Sequence, residues 1–172
     1  LLEYCVDLGG RRIIKKKMDK AIKVYKEVKD LVLKSGKNIP VILYHSRFTE
    51  KDEQRKENML LDNLGRKAWN NGIAKGIAIL TQIGEISINI SSELMISEVC
   101  PIDRLMQRAG RLCRFDNSVG EMYILIPYKD NTLYPAPYGS YSQSDKSWIP
   151  CKALLATMDI LKRGIYSAQD LV

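Results

Sequence analysis

Short apolar runs alternate with amphipathic stretches along most of this chain, and that alternation leaves few folds open. Val41-Ile42-Leu43-Tyr44, Gly76 to Leu80, Leu94 to Val99 and Met122-Tyr123-Ile124-Leu125-Ile126 each have the length and character of a short strand. Between the strands the period changes. Met18, Ala21, Ile22, Tyr25, Val28 and Val32 recur at helical spacing with lysines and acids between them, which predicts a helix of about 17 residues. Gly36 fits a left-handed cap at its end. Thr49 followed by Asp52 marks a second helix start, and the pattern runs on to about Leu64. Pro101 sits where a third helix opens. The prediction is an α/β fold, a parallel sheet with helices on both faces. Ile13-Ile14 before Lys15-Lys16-Lys17 reads as the tail of an incomplete first strand. Residues 127–147, with Pro127, Pro135 and Pro137 among Tyr, Ser, Gly and Asp, read as a loop or linker. A last helix is expected from Ile149 to Arg163.

In such sheets ligands gather at the carboxyl ends of the strands. Three unusual segments fall there: His45-Ser46-Arg47, Thr81-Gln82, and the string Gln107-Arg108-Ala109-Gly110-Arg111-Leu112-Cys113-Arg114. The string puts three arginines into eight residues. Read as a helix at roughly 100° per residue, Gln107, Arg111 and Arg114 lie within about 60° of one another. Leu105, Met106, Ala109, Leu112 and Cys113 then take the opposite face. Paired guanidiniums bind phosphate oxygens by charge-assisted hydrogen bonds and can stabilise charge during phosphoryl transfer. A surface arginine stripe is the plain alternative for the string alone. Its place after a buried strand, in company with Thr81 and His45, favours phosphate.

Composition narrows the partners. With 172 residues the chain can bury a sizeable core, and its 45% hydrophobic and 27% charged content is ordinary for a soluble globular domain. A net charge of +7 favours a polyanion, nucleic acid before a membrane surface. No apolar run approaches membrane-span length, and the first 20 residues lack a signal peptide's apolar stretch. Cys5, Cys100, Cys113 and Cys151 have no C-x-x-C spacing, which fits a reducing cytoplasm and neither a disulfide framework nor a zinc site. His45 is the single histidine, so a histidine–aspartate metal hydrolase cannot be built from this chain. The opening Leu1-Leu2-Glu3-Tyr4 is not a natural initiation and predicts a piece of something longer.

Three motifs in order carry a resemblance. Thr81-Gln82-Ile83-Gly84-Glu85-Ile86-Ser87-Ile88-Asn89-Ile90 resembles motif V of superfamily 2 helicases, and the arginine string resembles their motif VI, Q-R-x-G-R-x-x-R. Together with Leu43-Tyr44-His45-Ser46-Arg47-Phe48-Thr49 and the lead-in Pro101-Ile102-Asp103, they are similar to the CRISPR-associated helicase–nuclease of type I systems, from about Ala21 to Phe115. The resemblance implies the second RecA-like lobe of a two-lobe motor, over residues 1–128, with a linker at 129–147 and an accessory helix in 148–172. It implies ATP between the lobes, with magnesium held by the first lobe. Single-stranded DNA, a nuclease domain and an RNA-guided surveillance complex are the implied partners, with no membrane. Arg111 and Arg114 would be arginine fingers. Gln107, Ser87 and Asn89 would line the nucleotide. His45, Ser46, Arg47, Thr81 and Gln82 would follow the DNA. Asn89 and Ser91 replace the usual acids, and Asn can still bond a ribose hydroxyl, as a neutral group.

The chain has no G-x-x-x-x-G-K-[ST]: Gly36-Lys37 is followed by Asn38. Asp52-Glu53 lies in a polar helical stretch and ends no apolar strand, so it reads as structural. The expectation is half an active site, inactive alone. Lys15-Lys16-Lys17 reads as a solvated charge run, and Tyr134, Tyr138 and Tyr141 as surface residues rather than base-stacking groups. The alternatives are a lobe of another superfamily 2 helicase, from repair or RNA processing, and a non-catalytic nucleic-acid-binding module.

Overall fold

The structure, a computed structural model, describes residues 10–82, 88–116, 118–161 and 164, with side chains from Met18 onward. The chain divides into two compact units, one of residues 15–93 and 111–120, the other of 1–14, 94–110 and 121–172.

Helix α1 (Gly10–Lys34), which lies in the first unit from Lys15 onward, is longer than its apolar period suggested, and it takes in the basic run that read as a strand end. Gly36 closes it with φ +67°, the left-handed value that glycine adopts without a Cβ penalty. Strand β1 (Val41–Tyr44) leads through a turn into helix α2 (Glu50–Leu64). Thr49 caps α2, its hydroxyl accepting the Asp52 N–H at 3.3 Å, and Glu50, Asp52 and Glu53 in the first turn suit the positive end of the helix dipole. Gly65 separates α2 from a short helix the periodicity did not reveal, α3 (Arg66–Asn70). A Cβ at Gly65 would run into the Leu61 carbonyl oxygen, so any other residue would force the junction apart.

Strand β2 (Ile77–Leu80) pairs with β1 in parallel, from Val41 opposite Ile77 to Tyr44 opposite Leu80. Helix α2 packs on β1. Ile42, Tyr44, Leu60, Leu64, Ile88 and Ile90 form the core, with Leu61, Ala78 and Leu80 against it. Ile42 and Leu60 are wholly inaccessible, and burial on that scale is worth about 1.5–3 kcal/mol per side chain.

The second unit has its own parallel pair, β3 (Leu94–Glu98) with β4 (Glu121–Leu125), in register from Leu94 opposite Glu121 to Glu98 opposite Leu125. Between them runs helix α4 (Ile102–Ala109), with Leu105 buried. Residues 128–150 are not the irregular linker their composition suggested. They form two antiparallel hairpins, β5 (Tyr128–Lys129) with β6 (Thr132–Leu133), and β7 (Gly139–Ser142) with β8 (Ser147–Pro150). Asp130 and Asn131 hold φ +50° and +57°, the two left-handed residues of a two-residue hairpin turn. Asp and Asn tolerate that region better than most, which the missing glycine had concealed. Tyr134 and Tyr141 pack edge-on against Trp148 at 5.5 and 5.6 Å. Helix α5 (Lys152–Ile160) starts later than the sequence suggested, because Ile149 belongs to β8.

The arginine string departs furthest from expectation. Helix α4 ends at Ala109, so Arg111 and Arg114 do not share a helical face with Gln107. Past Gly110, the backbone leaves the helix to pair with residue 92: Ser92 N–H donates to Arg111 O at 3.0 Å and Cys113 N–H to Ser92 O at 2.9 Å. Cys113 then turns the chain at φ +43°. Tertiary pairing outweighs helix propensity here.

Candidate nucleotide and nucleic-acid site

The carboxyl edge of the β1–β2 pair gathers the first group of candidates. Tyr44 and Leu80 are the last partners in register, and Thr81 N–H still donates to Tyr44 O at 3.2 Å. His45-Ser46-Arg47 and Thr81-Gln82 therefore leave the pair side by side, one strand spacing apart. His45 is buried, and its ring stacks on Phe48 with centroids 4.0 Å apart and planes within 9°. Its Nδ1 accepts the Arg47 N–H at 3.2 Å, which leaves the neutral ring's proton on Nε2. Burial holds the His45 pKa below its ordinary 6.5, a hydrogen bond to its backbone opposes this, and the Arg47 charge lowers it further. Near neutral pH His45 is a neutral donor. The charge at this edge comes from Arg47, which with Ser46 is exposed, while Thr81 and Gln82 are half-buried. Hydroxyl, amide and guanidinium donors are the types that contact a nucleic-acid backbone. Below the edge, the buried Tyr44 reaches Glu53 Oε1 at 3.0 Å. Glu53 is thereby a structural partner, as its helical setting suggested.

The second group lies where residues 88–92 meet residues 111–116, in the same unit. Arg111 is buried and donates from Nη1 to the Ile88 carbonyl. Arg114 is exposed, while its backbone N–H donates to Oγ of the buried Ser91 at 2.9 Å. Ser91, which stands where an acid was expected, thus seats the arginine segment by accepting from its main chain. Phe115 lies under the Arg66 guanidinium at 4.9 Å and edge-on to Trp69 at 6.4 Å. Trp69 Nε1 donates to Asp116 Oδ2 at 2.6 Å. The other Asp116 oxygen accepts from the Ser118 hydroxyl and from Ser118 N–H, the latter at 2.8 Å. The Ser118 bonds, then the Trp69 bond, lower the Asp116 pKa.

Asn89 is exposed beside buried Ile88 and Ile90. Ser87 lies outside the described residues. Gln107 is exposed on α4, in the other unit. Arg108, to which the periodicity gave no part, bonds Ser97 Oγ at 2.7 Å, Glu98 O at 3.0 Å and Tyr138 Oη at 3.2 Å. Arg66, Trp69 and Asp116 carry no motif in the sequence, and only the aromatic character of Trp69 and Phe115 marks them there as a cluster. Among the described residues no three His, Cys, Asp or Glu side chains come together as a metal site, and no helix is long and apolar enough to cross a membrane.

The α/β fold with its parallel strand pairs is compatible in class with a RecA-like helicase lobe. Comparison with known proteins gives the family. Residues 10–117 match the family described as CRISPR-associated nuclease/helicase Cas3, C-terminal. A protein of Methanocaldococcus jannaschii provisionally named CRISPR-associated nuclease/helicase Cas3 is 37% identical over 128 residues, 70% of this chain and 16% of that protein. The T. fusca Cas3–ATP crystal structure superposes with a TM-score of 0.57 at 26% identity, over 65% of this chain and 14% of that one. A chain of a CRISPR RNA-guided surveillance complex in a pre-nicking state shares the fold, with a TM-score of 0.56 at 22% identity over 83% of this chain and 20% of that one. The chain belongs to the Cas3 nuclease/helicase family and corresponds to its C-terminal helicase region. It spans about a sixth of the length of the M. jannaschii relative it matches.

Proposed function

We propose that this chain is the second lobe of an ATP-dependent DNA helicase or translocase in type I CRISPR interference. In this reading residues 1–128 are the lobe, 129–147 connect, and 148–172 are an accessory element. The observation that carries it is Arg114, an exposed guanidinium on a segment fastened just before it to Ser91 and just after it through Phe115 and Asp116. A guanidinium held this way can meet a phosphate with little ordering left to do. Arg111 acts with it on the γ-phosphate side: its bond to the Ile88 carbonyl fixes the segment from which Arg114 projects. Asn89 is assigned to the ribose, and Ser87 and Gln107 to the nucleotide side of the cleft.

ATP is the substrate, and the phosphate loop and magnesium belong to a first lobe outside this chain. The nuclease domain lies outside it too. ATP in a relative's crystal structure and the helicase names of the relatives support the reading. His45, Ser46, Arg47, Thr81 and Gln82 form part of the single-stranded DNA track, for which their clustering at one strand edge is the support. The surveillance complex is the proposed partner, in the reducing cytoplasm.

The test is Arg114→Ala in the full-length protein. DNA-stimulated ATP hydrolysis falls by about 10³ or more, the scale of an arginine finger, while single-stranded DNA affinity stays within a few-fold. Undiminished hydrolysis would sink the assignment.

A further inference from the structure

The segment 111–116 is held on both sides of Arg114, by chemically different means. Up to Arg114 the hold is on the backbone: residues 111 and 113 pair with the Ser92 main chain, and the Arg114 N–H donates to the Ser91 hydroxyl. After it the hold is made mostly through the side chains of Phe115 and Asp116. The Phe115 ring sits between Arg66 and Trp69, and Trp69 Nε1 donates to one oxygen of Asp116 while Ser118 supplies both donors to the other. Both carboxylate oxygens are thus engaged, and one partner comes from 47 residues away in sequence. Such an arrangement is not needed for the core: Asp116 and Arg66 are exposed, and Phe115 and Trp69 half-buried. It is where an exposed arginine would need support, because Cys113 has just turned the chain at φ +43° and Arg114 follows with no helix to hold its direction.

We propose that Trp69 and Asp116 form a latch that positions Arg114 for phosphate, with Phe115 as its seat. They are positioning residues that touch no substrate. The inference rests on the assignment of Arg114 above. A guanidinium allowed to wander by an ångström loses much of its transition-state contact while substrate binding, made mostly elsewhere, is spared.

The experiment measures DNA-stimulated ATP hydrolysis, KM for ATP and melting temperature in the full-length protein. Trp69→Phe keeps an aromatic ring beside Phe115 but removes the N–H donor together with part of the indole. It lowers kcat about ten-fold and leaves KM within about two-fold, with melting unchanged. Asp116→Ala, at an exposed carboxylate, does the same and carries the test should Trp69→Phe fold poorly. The double variant is no worse than either single one, since both break one link. Unchanged kcat in both single variants overturns the latch, as do additive losses, or losses that follow the melting temperature. Arg114→Ala in the same assay separates the two claims. If it leaves hydrolysis intact, the finger assignment fails and the latch with it. If it abolishes hydrolysis while Trp69→Phe and Asp116→Ala behave as wild type, only the latch fails.

Discussion

Arg108 and Arg114 stand six positions apart in one basic string, yet the residues before Gly110 and those after it use arginine in opposite ways. Before Gly110, Arg108 projects from a regular helix, and its guanidinium spans Ser97, the Glu98 carbonyl and Tyr138. It ties strand β3 to the start of the β7 hairpin and is spent on that. After Gly110, regular structure ends. Arg111 anchors an irregular segment through Ile88, and Arg114 is left exposed. The difference teaches that a guanidinium's task is set by which carbonyl and hydroxyl acceptors the fold brings within its reach. Bonds to a strand and to a hairpin tyrosine make a clamp, a bond to a buried carbonyl makes an anchor, and exposure on a fastened backbone makes a candidate phosphate contact.

Mutation can break or sharpen this contrast. Arg114→Ala carries the largest effect, the loss of hydrolysis described above with no change in urea unfolding. A matching loss from Arg108→Ala at unchanged stability would erase the distinction. Arg111→Ala should lower the free energy of unfolding by about 2–3 kcal/mol, because it strands the buried Ile88 carbonyl and removes a charge-assisted bond. An unchanged urea midpoint would remove its anchoring role. Arg108→Ala comes next, at about 1.5 kcal/mol, and Tyr138→Phe, which deletes one of its acceptors, at about 0.5 kcal/mol. Should Tyr138→Phe cost more than Arg108→Ala, the clamp is wrongly drawn.

His45 gives the smallest effect and a sign. Its folded pKa lies below 6.5, so the unfolded chain takes up a proton first as pH falls. The contribution of neutral His45 to stability is therefore complete above pH 6.5 and is lost on acidification through the lowered folded value. Replacing His45 with Gln should flatten that part of the stability profile, as followed by urea titrations between neutral and mildly acidic pH. A profile that declined as steeply without the histidine would assign the loss to another group.

Much of the fold was legible because it rests on local physics. The runs at Val41–Tyr44 and Ile77–Leu80 are apolar enough to need burial, and Thr49 with Asp52 announces a helix start that the hydroxyl completes. Of the candidate site, the strand-end residues His45 to Arg47 and Thr81 to Gln82 could be placed together, because parallel pairing sends successive strand ends to one edge. The hairpins at 128–150 were hidden by prolines and by an Asp130-Asn131 turn without glycine. The Trp69–Asp116 bond was hidden by separation, since no spacing rule links residues that far apart in sequence.

The sequence by itself determined that strands alternate with helices up to Leu125, that those strands are parallel, and that donors suited to phosphate follow the strand ends. Hydrophobic period and residue chemistry are local and survive without coordinates. Only the tertiary structure decided where helix α4 stops and which arginine is buried. Up to Arg114 the pattern could have continued as a helix. Residues 88–92 outbid it, because Ser92 and Ser91 offered the backbone of 111–114 partners that an exposed helical turn could not match.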